Sequence, residues 1–231
     1  MHFTYEEAFS ADCLSQGDVL KRTSNLEALL TEVHPHYAER AENAYFQVLT
    51  QSCDLVRRKQ TDGTIGCSAR YISIAPVRNV DAAIARYLEP FVSDDLKAKV
   101  PVCTERAKTD VSRFLSRLYN NNEPRYFYLE SEPTKNFPND SCTFLPLSIA
   151  LKADLNYDIC LAAKILQLRQ PFQAKLGWLV GQMYSRVGTP DWSEDNARAK
   201  IDKILDSLAI WLPDRKHNEL KKSVRKAKKA D

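Results

Sequence analysis

AYFQVLTQSCDLVRR, residues 44–58, is the stretch on which the fold turns. Tyr45 to Thr50 is a short run of aromatic, apolar and β-branched residues, the composition of a strand buried on at least one face. It leads directly into Ser52, Cys53 and Asp54, then into Arg57 and Arg58. A thiol, a carboxylate and two guanidinium groups at the mouth of a core strand mark that end as the candidate site.

Upstream, Gly17-Asp18 turns into Val19 to Arg22, a predicted strand, and Thr4 to Ser15 reads as a short amphipathic opening helix. Ser24 suits an N-cap for a helix through Leu26, Leu29, Leu30 and Val33, which Pro35 stops or bends. Downstream, QTDGTIG (60–66) is a hairpin connection, and ARYISIAPV (69–77) is a further strand in which Ile72 and Ile74 alternate with Tyr71 and Ser73.

From Asn79 the period becomes helical. Ala82, Ala83, Ile84 and Leu88 predict one helix and residues 93–100 a second. Cys103, Ala107, Val111, Phe114, Leu115 and Leu118 predict a third, ending at Asn120-Asn121-Asn122. This block, about 80–122, reads as an insertion, because RYFYL (125–129) and CTFLPLSIAL (142–151) return to strand character. A last strand is expected around Ile165 to Leu168. A helix opened by Pro171 then buries Phe172, Leu176, Leu179, Val180 and Met183, with Gly177 and Gly181 allowing close packing. Ser193 starts a final helix with Ala197, Ile201, Ile204, Leu205, Leu208 and Trp211 as its buried face.

The chain has 231 residues, 44% apolar and 27% charged, the composition of a globular protein with a substantial core. No run of about 18 uncharged apolar residues predicts a membrane span. The acidic N-terminus lacks the features of a signal peptide, so a cytoplasmic location is expected. Six cysteines without close pairs read as free thiols. A zinc site drawn from His34, His36, Cys53 and Cys67 lacks the usual paired spacing, and no metal or other cofactor is called for. Residues 214–231 carry eight basic and three acidic side chains, leaving 25 basic and 27 acidic on the rest. The body is near neutral and the tail is basic.

Four features in order carry a resemblance: Gly17-Asp18-Val19, the VLTQSCDL stretch, the ISIAPV strand, and a strand leading to a helix containing Ala174-Lys175-Leu176-Gly177. This order resembles the PemK/MazF-type toxins, small SH3-like β-barrels, over about residues 17–80 and 125–187. The resemblance implies RNA cleavage by an arginine just before the second strand and a Ser or Thr near the third. Here Glu42, Asn43 and Ala44 precede the second strand, with Arg40 the nearest arginine, while Ser68 or Thr64 stands in for the hydroxyl. Without that guanidinium the developing phosphate charge loses its stabilisation. The Ser52-Cys53-Asp54-Leu55 strand end is also similar to a group of bacterial proteins, some associated with phage-defence loci.

The expected architecture is therefore α+β: an SH3-like, partly open β-barrel over 1–187 with the helical insertion, followed by a C-terminal helical layer with the basic tail over 188–231. Catalytic candidates are Cys53, Asp54, Arg57 and Arg70. A thiol nucleophile needs a partner that lowers its pKa, whereas Asp54 suits a turn anchor or a partner for Arg57 or Arg70. Arg57, Arg58, Lys59 and Arg70, with Arg78 close by and Tyr45 and Tyr71 as stacking surfaces, make a phosphate-binding patch. Lys221, Lys222, Arg225 and Lys226 of the tail offer a second cationic surface. Three functions fit: an accessory protein of a bacterial toxin-antitoxin or antiviral defence system that binds RNA, DNA or a partner protein from its locus; an endoribonuclease with a rearranged arginine site; or a structural interaction subunit.

Overall fold

The computed structural model describes residues 4–59, 63–92, 100–185 and 195–227. The chain divides into two compact units, one of residues 1–80 and 124–188, the other of 81–123 and 189–231.

The first unit is built on antiparallel strands. In chain order its elements are β1 (Val19–Lys21), α1 (Ser24–Val33), α2 (Pro35–Ala38), β2 (Tyr45–Val48), the single turn α3 (Ser52–Leu55), β3 (Arg58–Lys59), β4 (Ile65–Gly66) and β5 (Tyr71–Asn79). Helix α4 (Val80–Leu88) leads out of this unit. After the insertion come β7 (Tyr126–Leu129), β8 (Ser141–Phe144), β9 (Ile149–Lys152), α6 (Ala153–Ala163), β10 (Lys164–Leu166) and α7 (Gln170–Ser185). The sheet runs β10-β1-β2-β5-β8-β7, with β9 also paired to β5. The class is α+β. Among the described residues its end strands β10 and β7 do not pair, so the sheet is open and no closed barrel forms.

The strand quoted first lies near the centre. β2 pairs with β1 on one side and β5 on the other, and Phe46 and Val48 are fully buried. Leu20, Phe46, Val48, Ile72 and Ile74 share a core with Leu26 and Leu30 of α1 and with Tyr157 and Cys160 of α6. Val19, Ala75, Val77, Phe127 and Leu166 form a second core with Leu176 and Leu179 of α7.

The structure departs from two expectations and adds one helix. CTFLPLSIAL is two strands, because Pro146 has no N–H to give a ladder and a 3₁₀ turn (Leu145–Leu147) separates them. β5 then takes β8 along Val77–Asn79 and β9 along Tyr71–Ile74. The residues before the last strand form α6. The opening helix is absent: Tyr5 bridges Leu168, the Glu6 amide donates to the Gln167 carbonyl and the Arg169 amide to the Thr4 carbonyl. Pairing next to β10 and burial of the Tyr5 ring beside Phe137 outweigh a weak helical pattern.

Glycine is required at position 17. Its φ of +88° is left-handed, and a Cβ there would lie 2.5 Å from Leu168 Cδ1. At Gly177 a Cβ would lie 2.9 Å from the Gln16 side chain, so this helix glycine does serve a close approach, whereas Gly181 meets nothing.

The second unit brings together the insertion and the C-terminal helices, which the sequence reading placed in separate domains. It holds β6 (Val102–Thr104), α5 (Glu105–Tyr119), α8 (Asp195–Leu208), β11 (Ile210–Leu212) and α9 (Asp214–Ala227). β6 and β11 pair in parallel. The predicted face of α5 is buried at Ala107, Val111, Phe114, Leu115 and Leu118, and Phe114 stacks on Tyr87 with ring centroids 4.0 Å apart. Thr104 caps α5 by accepting the Ala107 amide. Residues 93–99, Ser193 and the 187/188 boundary lie outside the described residues. Over Asp214–Ala227 the basic tail is a helix that buries His217, so this part is more than a solvated extension.

Candidate functional site

The strand end designated by the sequence opens onto a groove of about 490 Å³. Its walls come from Arg57, from the run Ile65 to Tyr71, and from Lys152 to Asp154 with Tyr157 and Asp158. Three separate segments therefore build it.

β2 leaves the core at Thr50, and Ser52 to Leu55 coil into α3, anchored by the fully buried Leu55. The Ser52 hydroxyl accepts the Gln16 amide at 2.9 Å. Asp54 ties α3 to the groove wall: its carbonyl accepts the Ala69 amide at 3.0 Å, and the Ser68 hydroxyl lies 3.3 Å from both that carbonyl and Oδ1. The carboxylate thus meets the Ser68 hydroxyl, and the backbone N–H expected on it goes to the main-chain carbonyl instead. Neither arginine is its partner. Arg57 instead bonds Asp158 and lies over the Tyr157 ring, 4.0 Å from its centroid. Tyr157 is held in turn by donating to the Leu55 carbonyl and accepting the Leu14 amide, both at 2.9 Å. Burial pushes its hydroxyl pKa up. Stacking leaves Arg57 only half-exposed.

Register sets the floor of the groove. Tyr71 of β5 is paired directly with Lys152 of β9, so both side chains stand on one face of the ladder. The next pair, Ile72 and Leu151, points into the core. Tyr71 is 53% exposed. Arg70 precedes it, and the Arg70 carbonyl accepts the Ala153 amide at 3.0 Å, clamping the start of α6 to the strand. Among the described residues the side chains of Arg70, Lys152 and Asp154 have no hydrogen-bond or ion-pair partner. Arg58 and Lys59 are exposed on β3, paired with Gly66 and Ile65 of the wall.

Other candidates lie elsewhere. Cys53 is exposed, its thiol 3.7 Å from Gln51 Oε1, and it does not line the groove; Cys67 does. Arg78 is an internal clamp, its Nε donating to Asn43 Oδ1 at 2.8 Å and its guanidinium over Phe144. Tyr45 donates to the Asn136 carbonyl and packs edge-on against Phe137. Arg40 pairs with Glu42. Lys221, Lys222, Arg225 and Lys226 are on α9 of the second unit. Among the described residues no three His, Cys, Asp or Glu side chains gather as a metal site, so the set of His34, His36, Cys53 and Cys67 is not assembled.

Sequence reasoning missed a second polar constellation, enclosed in the first unit. Lys164 Nζ lies 2.9 Å from Asp18 Oδ2, with both side chains almost wholly buried. The ammonium also donates to the Ser10 and Cys13 carbonyls and to Gln167 Oε1. Asp18 Oδ2 accepts the Ser15 amide, while Oδ1 is buried without a partner. Burial pushes the Asp18 carboxyl up to about 6, although Lys164 and the Ser15 amide pull it down. The available signal was a lone lysine within the apolar run LAAKIL.

Comparison of the chain with protein-family models, curated proteins and solved structures gives no match. Among the described residues no helix is long and apolar enough to cross a membrane.

Proposed function

We propose that this protein binds single-stranded nucleic acid through the groove, as an accessory component of a bacterial toxin-antitoxin or phage-defence system. In this reading the sheet is an SH3-like, partly open barrel carrying an altered PemK/MazF-type site. The observation that supports it most is the Tyr71–Lys152 register pair beside Arg70. An exposed ring with a lysine on the same sheet face and an arginine lining the same groove gives a base a stacking surface and its phosphates a counter-charge. Arg58 and Lys59 extend the cationic surface along the wall.

The test is fluorescence anisotropy with labelled single-stranded RNA and DNA of mixed sequence, at about 50 and 200 mM salt. Binding that weakens steeply with salt is expected. Tyr71→Ala loses affinity about fivefold or more, since stacking contributes about 1–3 kcal/mol per base, and a double Arg70→Ala, Lys152→Ala variant weakens binding and flattens its salt dependence. Absence of binding at low salt, or binding indifferent to these variants, overturns the reading and leaves a protein partner as the occupant.

The endoribonuclease reading has its own support: the Ser68 hydroxyl and the Arg70 guanidinium line the same groove. If it holds, the purified chain cleaves RNA, and Arg70→Ala and Ser68→Ala each abolish cleavage. Intact RNA after prolonged incubation removes it.

A further inference from the structure

We infer that the groove reads a guanine base, through the Asp154 carboxylate; this rests on the single-strand-binding reading above. A groove that only tracks a phosphate backbone has no use for a carboxylate, which repels the strand. This one is lined by two, and they differ. Asp158 is neutralised by the Arg57 guanidinium, which is itself fixed over the Tyr157 ring. Asp154 has no ion-pair partner among the described residues. It follows Lys152 by two positions, in the first turn of an α6 whose start is clamped to Arg70 by the Ala153 amide. The carboxylate therefore lines the same groove as the cations that would bind phosphate and the ring on which a base would stack.

An ionised carboxylate is acceptor-only, with two oxygens that can receive two parallel donors. Guanine alone among the bases places two adjacent donors on its Watson–Crick edge, the N1–H and the 2-amino group. Adenine and cytosine each offer one amino group beside a ring nitrogen whose lone pair faces the carboxylate. Uracil and thymine offer one N–H flanked by two carbonyl oxygens. With the base stacked on Tyr71 and the flanking phosphates on Arg70 and Lys152, Asp154 is the group available to that edge. An acid in a first helical turn also favours the helix dipole. That role alone predicts a small stability loss for Asp154→Asn and no base preference.

The test uses the full chain and labelled U-rich octaribonucleotides, identical except for one central base, at about 50 mM salt. The guanine octamer is expected to bind about tenfold tighter than octauridylate, in line with a good bidentate base contact. An inosine octamer, lacking the 2-amino group, falls between them. Asp154→Asn removes the guanine advantage while octauridylate binding is unchanged or tighter, because a negative charge has gone. Equal affinity for the guanine and uracil octamers, with binding otherwise intact, overturns the inference and leaves the binding reading standing. A guanine preference that persists in Asp154→Asn also overturns it. No binding to any octamer overturns both.

Discussion

The first unit holds lysine and aspartate side chains in two settings. In the interior, Lys164 is surrounded by Asp18, two carbonyls and an amide oxygen. In the groove, Lys152 ends β9 and Asp154 opens α6, and neither side chain has a hydrogen-bond or ion-pair partner among the described residues. An ammonium deprived of water needs near-complete replacement of its hydration, and the fold supplies it at Lys164. At Lys152 water still solvates the charge, so the fold has no need to. The enclosed set is architecture, and the open set faces solvent.

The largest expected difference follows from removing one charge in each setting. Lys164→Met strands a buried carboxylate and should cost about 3–5 kcal/mol in urea unfolding, and adding Asp18→Asn should recover much of the loss. Lys152→Met should change stability by no more than about 0.5 kcal/mol. Equal costs would erase the distinction.

Acid sharpens the contrast next. The folded pKa of Asp18, about 6, lies above its ordinary 3.8. Between these values the folded protein holds a proton that the unfolded chain has released. The contribution of Asp18 is therefore most favourable below about pH 4, falls as pH rises to about 6, and is flat above. Relative to Asp18→Asn, the natural protein should gain on the order of 2–3 kcal/mol on going from pH 7 to pH 4. The opposite slope would mean that Lys164 more than offsets the desolvation of its partner.

The smallest effects belong to the strand end. Asp54→Asn keeps an acceptor for Ser68 and should cost less than about 1 kcal/mol. Cys53→Ser should alter neither stability nor nucleic-acid binding, because the thiol is exposed and outside the groove. Alkylation of Cys53 near pH 6, faster than at the other cysteines, would restore the thiol as a reactive group.

Much of the sheet was legible, because β2, β5 and β7 carry compact apolar runs and the long α5 has a strong stripe. α6 was not, since its buried face of Ala153, Asn156, Tyr157, Cys160 and Ala163 includes a polar residue while Leu155 stands exposed on the opposite face, which flattens its periodicity. Half of the groove was legible for a related reason. Arg57, Arg70 and Tyr71 follow closely on the strand end, but Lys152, Asp154 and Tyr157 reach the site only through pairing of β9 with β5. Nothing in local sequence reports that pairing. The buried pair also escaped, since Asp18 and Lys164 are ordinary surface residue types whose meaning depends on which strands become neighbours.

The division of the second unit into two stretches of chain sets a timetable for its folding. α5 leaves the ribosome about ninety residues before α8 is complete, and the two helices pack on each other. At roughly 5–20 residues per second, that interval is about 5–20 s. During it, the apolar stripe of α5 has Tyr87 beside Phe114 but lacks the packing that α8 supplies. The first unit meanwhile acquires its last strand and helix. Synthesis thus favours a nascent chain whose sheet is settled while its inserted helix still waits.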